Sequence, residues 1–204
     1  MQSWDRPPPE IAVPELFERW LPAAFAAAQH RAPAGTPVVR VSVSGAGGGG
    51  WDLAVEDDQL VVSAPGRAAP DVWIRLSVAD LRVSLGEPDP DLPEILSART
   101  SARDILLVDP RDVDLVRQIS GRLLIEIEGR RRRRWSLDLG FGKAGVSAGR
   151  PRTTLRLAGE TFEGLRSGTI PLMQPFLDGR LKIEGDRALA MQLMLLAGSR
   201  LGRR

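Results

Sequence analysis

Apolar and polar residues alternate with period two in several short runs. Val39, Val41 and Val43 alternate with Arg40, Ser42 and Ser44, and Trp51, Leu53 and Val55 alternate with Asp52 and Ala54. That period puts one side of a strand on a core and the other toward water. Leu60 to Ser63 and Val72 to Leu76 predict two further strands, and Asp80 to Leu85 a short helix. Later in the chain Leu123, Ile125 and Ile127 alternate. A loop through Arg130 to Arg134 follows, then Trp135, Leu137 and Leu139, then a strand over Thr154 to Leu157 and a helix holding Phe162 and Leu165. Ahead of all these, Pro14 opens a helix whose broad apolar face holds Leu16, Phe17, Trp20, Leu21 and Phe25. Residues 1–13 predict an irregular, proline-rich arm.

The same order of elements occurs twice, and the spacing is regular. Gly45 and Gly129, Trp51 and Trp135, Leu53 and Leu137, and Ser63 and Ser147 are each separated by 84 residues. The strand-plus-helix segment matches at 81, as Arg75-Leu76 against Arg156-Leu157 and Leu81 against Phe162. Ile105 to Val108 against Leu181 to Glu184, and Val113 against Leu189, match at 76. An ordered series with shortening confined to loops predicts a tandem duplication of a small α+β unit. Each unit is an antiparallel-rich sheet with helices packed on one face. The first copy spans 14–110 and the second 111–204. The helix near 112–119 is shared, so the register of the first copy runs on to residue 120.

The second copy resembles the sterol carrier protein type-two (SCP2-like) family. The resemblance lies in GRLLIEIEG (121–129), RRWSLDL (133–139) and the segment from Thr153 to Leu196, and covers residues 112–197 in order. Its most distinctive part is Phe176, Gly179, Leu181-Lys182-Ile183 and Gly185-Asp186, followed by an apolar helix with Leu189-Ala190-Met191. The first copy shares the meander and the strand-plus-helix but has Arg103 to Asp109 in place of that signature. The resemblance implies a hydrophobic tunnel between sheet and helices that takes a sterol, fatty acyl or other lipid chain without covalent chemistry. Relatives of this kind also occur as accessory domains, including in bacterial quinone biosynthesis.

The residues themselves point the same way. From Leu189 to Ala197 the chain reads LAMQLMLLA, with Gln192 the one polar side chain. A surface helix needs a polar face, so this one must be covered by a ligand, the other copy, a second subunit or a membrane. Met191 and Met194 suit a surface that adapts to varied apolar shapes. The matching helix of the first copy, with Val113, Val116 and Ile119 on one face, is ordinarily amphipathic. The expected lipid-binding set therefore lies in the second copy. From strand and helix come Leu157, Phe162 and Leu165; from the apolar connection Ile170, Leu172, Met173, Phe176 and Leu177; from the last strand and helix Leu181, Ile183, Leu189, Met191, Leu193 and Met194. The alternative occupant of that surface is protein: a scaffold, an oligomer, or an accessory role in a lipid- or quinone-modifying complex.

Composition narrows the chemistry. The 204 residues include no cysteine and one histidine, His30, which sits beside Gln29 and Arg31 in an alanine-rich stretch. This excludes thiolate nucleophiles, cysteine-held metals and a histidine cluster, and leaves no base for a Ser-His-Asp arrangement. No catalytic residue, cofactor or metal is expected, and the chain reads as a non-enzyme. GAGGGG (45–50) lacks the Lys-Ser/Thr and the helix of a phosphate-binding loop. The N-terminus shows no secretory signal and no run spans a bilayer, so the cytoplasm is the expected compartment.

Charge is divided unevenly. Residues 1–110 carry 9 basic and 16 acidic side chains, residues 111–204 carry 19 and 10. The basic run Arg130, Arg131, Arg132, Arg133 and Arg134 is expected in a hairpin loop, where contact with an anionic membrane is worth roughly 1 kcal/mol per residue. A solvated loop accounts for the run equally well. Nucleic acid is a weaker reading, because aromatics are sparse and the first copy has glycines at the matching place.

Overall fold

A computed structural model describes residues 7–8, 10–27, 35–67, 69–95, 113, 116–142 and 153–192. His30, the segment Arg103 to Asp109, Ser147, Leu193, Met194 and, in the predicted shared helix, Asp112, Asp114 and Leu115 lie outside the described residues. The N-terminal helix comprises α1 (Val13–Glu15), a π turn (Leu16–Trp20) and α2 (Leu21–Ala27). It begins one residue before Pro14, with Ala12 in extended conformation ahead of it. The predicted arm is thus partly structural, for Ile11 and Val13 are buried in the core.

Among the described residues eight strands follow: β1 (Val39–Ser44), β2 (Gly49–Glu56), β3 (Gln59–Ser63), β4 (Val72–Ser77), β5 (Gly121–Glu128), β6 (Arg134–Phe141), β7 (Thr153–Ala158) and β8 (Leu181–Glu184). Three helices are set among them: α3 (Val78–Ser84), α4 (Gly159–Ser167) and α5 (Gln174–Leu177). Residues 187–192 are also helical. Every strand expected from alternation is present, each within about two residues of its predicted ends. The strands form one continuous sheet in the order β3-β2-β1-β4-β6-β5-β7-β8. Only β1·β4 and β5·β7 are parallel, so the α+β, antiparallel-rich reading holds.

The two halves repeat a pairing scheme. In each, the first strand pairs antiparallel with the second and parallel with the strand that leads into a helix. The parallel registers correspond residue for residue. Val39 pairs with Val72 and Leu123 with Thr153, positions related by 84 and 81. The halves are joined by β4 and β6, where Val72 to Arg75 lie opposite Phe141 to Asp138.

The sheet has one dry face and one charged face. Val39, Val41, Leu53, Val72, Leu123, Phe141 and Leu155 face the main core with Phe25, Val116 and Ile119. Trp51 stacks on Phe17, ring centroids 4.6 Å apart, and its indole N–H donates to Glu18 at 2.9 Å. On the opposite face, adjacent strands carry paired charges. Arg40 holds Asp52 through two hydrogen bonds, and Arg122 holds Asp138. Glu126, buried at 6% exposure, accepts from Arg134 and Arg156, each at 2.9 Å. Arg75 lies 3.6 Å over the Trp73 ring beside Asp138.

Burial pushes the Glu126 carboxyl up, but the hydrogen bonds and charges of Arg156 and Arg134 outweigh it and hold it below the ordinary glutamate range. A depressed carboxyl stabilises the fold above its unfolded value of about 4.3 and loses that contribution as pH falls through the folded value. Urea midpoints should therefore fall as pH is lowered from about 5 toward 3. Glu126→Gln should flatten part of that slope. An identical slope in wild type and variant would remove Glu126 from the account.

Candidate functional site

The dry face of the second half is built in rows. Ile127, Leu157 and Leu181 lie side by side across β5, β7 and β8, and Ile125, Leu155 and Ile183 form the next row. Over the first row sits a separate cluster of Val83, Ile95, Ile127, Trp135 and Leu157, with Phe162 and Leu165 of α4 packed against it. Val83, Leu92 and Ile95 come from the first half, so that half closes one flank of this cluster. Trp135 anchors the contact. Its indole N–H donates to the Asp80 carbonyl and to Ser84 Oγ, both at 3.0 Å.

Between this cluster and the main core lies an incompletely covered strip. Ile125 and Leu181 pack against both clusters and are only partly buried, as is Ile183 beside them. Leu189 and Ala190 bound the strip on one side. They are 4% and 0% exposed and belong to the main core, where Leu189 presses on Gly121. Met191, next along the helix, is half-buried. Phe162 and Leu165 of α4, packed on the second cluster, lie on the other side. Ile170 reaches so close to Gly164 that a Cβ there would stand 2.3 Å from Ile170 Cδ1. Gly164 is therefore a close-approach glycine that lets the 168–173 connection fold back on α4.

The predicted lipid-binding residues divide accordingly. Leu157 and Leu189 are core. Phe162, Leu165, Ile170, Leu172, Phe176, Leu181, Ile183 and Met191 are half-buried, and of these Phe162, Leu165, Leu181 and Ile183 pack against the two clusters. Met173 and Leu177 face outward, at 38% and 72% exposure. Part of the greasy helix is thus covered by the protein's own core, with Ile119 and residues of the first half in the same cluster. Alternation along the chain places β8 correctly but cannot tell a core leucine from a partly covered one.

Two recesses on the surface of the described residues are lined by other residues than this apolar set. One, about 440 Å³, lies between Pro8, Glu10 and Trp20; the other, about 370 Å³, lies between Ser42, Arg75, Ser77 and Ser136. The second sits where β4 and β6 part company beyond Arg75 and Asp138, a seam that only the fusion of the halves creates. Among the described residues no group of histidine or acidic side chains could hold a metal ion. No described helix is long and apolar enough to cross a membrane.

The arginine run is not uniform. Arg133 turns inward and pairs with Asp80 at 3.4 Å and Asp89 at 2.9 Å. Arg134 begins β6 and pairs with Glu126 and Glu128. Arg130 to Arg132 form the exposed tip in a tight turn, with Arg131 and Arg132 at positive φ and the Arg133 N–H donating to the Arg130 carbonyl at 2.8 Å. The 86–94 connection braces this tip: Arg130 N–H donates to the Asp91 carbonyl at 2.7 Å, and a Cβ on Gly129 would collide with that same oxygen.

Residues 103–198 match the SCP-2 sterol transfer family, so the chain carries a domain of that family in its C-terminal half. Over 100 residues it is 35% identical to the peroxisomal multifunctional enzyme A of Dictyostelium discoideum, covering 46% of this chain and 23% of that protein. Over 89 residues it is 30% identical to hydroxysteroid dehydrogenase-like protein 2 of Xenopus tropicalis, covering 42% of this chain and 21% of that protein. The chain thus spans less than a quarter of either relative. Sterol carrier protein domain 2 of Helicoverpa armigera superposes at a TM-score of 0.37 with 20% identity, over 50% of this chain and 84% of that one.

Gly164→Ala should force Ile170 aside and cost about 1–3 kcal/mol, the usual penalty for overpacking. Gly164→Ala with Ile170→Ala should cost less than the two single changes added together. Strict additivity in urea unfolding would show that the two residues do not press on each other.

Proposed function

We propose that the protein binds an apolar lipid chain, such as a sterol, fatty acyl or isoprenoid chain, in the crevice of its C-terminal half, and carries it without chemical change. The observation that carries this reading is the strip of Ile125, Leu181 and Ile183. These three side chains are partly buried and pack against the clusters, with Phe162 and Leu165 of α4 in one cluster and Leu189 and Ala190 in the other. A second support is the family to which residues 103–198 belong, whose description is sterol transfer. Phe162, Leu165, Ile170, Leu172, Phe176 and Met191 flank the strip in this reading. Pockets for such ligands are mostly apolar with few polar groups, which fits a set containing no charged residue.

The two halves are read as copies of one unit, with only the second retaining the crevice. Support comes from the matching parallel registers of β1·β4 and β5·β7. In this reading the first half serves as a lid: Val83, Leu92 and Ile95 seal the flank that a lone domain would leave exposed.

Native mass spectrometry of the purified protein, with lipid extraction, should reveal a co-purifying apolar molecule. A fluorescent fatty acid should bind, and Ile183→Gln, on the edge strand, should weaken that binding by about tenfold, or 1.4 kcal/mol. A lipid-free protein that takes up no fluorescent fatty acid would overturn the reading and favour a protein partner on the same strip.

A further inference from the structure

We propose that one end of the sheet, formed by the Arg130 to Arg132 tip together with Leu177 and Met173, docks on an anionic lipid bilayer. The topology brings these residues together although they are more than 40 positions apart. β5 ends and β6 begins at the arginine tip. β7 runs parallel to β5 and ends at the same side, and β8 runs antiparallel to β7, so Leu181 starts there too. Helix α5 ends at Leu177, four residues before Leu181. Two strand spacings of about 4.8 Å separate β5 from β8, so the end of β5 and the start of β8 stand on the order of 10 Å apart along the sheet.

The charge balance at this end favours an anionic surface. Most nearby carboxylates are already held within the protein: Asp89 by Arg133, Glu126 and Glu128 by Arg134 and Arg156, Asp178 by Arg180, and Glu163 by Arg166. Arg131 is 85% exposed, with Asp91 at 3.9 Å, and Arg130 and Arg132 have no carboxylate partner among the described residues. The tip therefore presents more cationic than anionic charge. Its backbone is held by Asp91 and by Arg133, so the three guanidinium groups are displayed on a braced turn.

The apolar component decides the kind of partner. Leu177 is one of two large apolar side chains exposed among the described residues, and Met173 is the other. Both lie on the same helical turn, four positions apart. Exposed arginines beside a leucine and a methionine match a bilayer interface, where headgroups meet the cations and the acyl boundary meets the apolar groups. A nucleic-acid backbone would use the arginines and gain nothing from Leu177, and no aromatic side chain stands at the tip for stacking.

The test is flotation of the full chain with vesicles of phosphatidylcholine alone and with added phosphatidylserine, at low and high salt. Wild type should float with the anionic vesicles and not with the neutral ones, and less at high salt. Arg130→Gln with Arg131→Asn and Arg132→Asn should reduce the bound fraction tenfold or more; asparagine tolerates the positive φ at the last two positions. Leu177→Ser with Met173→Ser should reduce it several-fold with the charges intact. Arg187→Gln, at the opposite end of the sheet, should leave flotation unchanged. Equal flotation of the triple arginine variant would overturn the proposal, as would an arginine effect without any leucine and methionine effect. Fluorescent fatty-acid uptake without vesicles should be unaffected by the arginine changes, so failure of docking and failure of ligand binding are read separately.

Discussion

The pairing of β4 with β6 is the constraint on which the rest of the molecule depends. Four residues on each strand, Val72 to Arg75 against Phe141 to Asp138, turn two half-sheets into one. Without that ladder, β4 and β6 would be open edges carrying apolar side chains, the arrangement most exposed to wrong pairing. The join is secured on both faces. Val72 and Phe141 meet on the dry side, at 1% and 3% exposure, and Arg75, Arg122 and Asp138 form a charged group on the other. An ion pair on an open surface contributes little, so the apolar contact carries the stability and the charges fix the register.

That join also brings elements of the first half against the second. With β6 beside β4, α3 comes to rest where its Asp80 carbonyl and Ser84 hydroxyl receive the Trp135 indole N–H. The chain after α3 then runs across to the arginine hairpin, where Asp89 and Asp91 meet it. Leu92 and Ile95, carried by the same segment, close one side of the second apolar cluster. A single strand pairing thus sets the position of the crevice flank and the shape of the hairpin tip.

The strands were legible because period-two alternation is a local property. Val39, Val41 and Val43 need only one buried face to be read as β1, and they have it at 2%, 4% and 5% exposure. The repeat spacing is consistent with the pairing found, since an 84 and 81 offset maps Val39–Val72 onto Leu123–Thr153, but it did not say that these strands run parallel. What alternation could not disclose is which edges meet. Ile74 and Leu139 look like any inward residues of any strand, and nothing in their spacing says that they lie opposite each other. The apolar helix shows the same limit. Its lack of a polar face told that it must be covered, yet Leu189 and Ala190 find their cover in the protein core while Leu177, in an equally greasy segment, finds none.

The arginine run illustrates how a charge cluster acquires direction only through the fold. Five consecutive guanidinium groups in sequence are one feature; in the hairpin they are two. Arg133 and Arg134 sit where strand pleat and the acidic 86–94 connection turn them onto Asp80, Asp89, Glu126 and Glu128. Those pairs pull the Asp89 carboxyl down, chiefly through the hydrogen bond from Arg133, and so hold the connection to the hairpin base. The three remaining arginines lie exposed on a tight turn, with Arg131 and Arg132 at positive φ. A left-handed conformation at two adjacent non-glycine residues is unfavourable and persists where surrounding contacts enforce it. Here the enforcing contacts are the Arg130–Asp91 and Gly129–Arg133 backbone hydrogen bonds. Internal pairing at the base is therefore what makes the tip a projecting, outward-facing cationic surface.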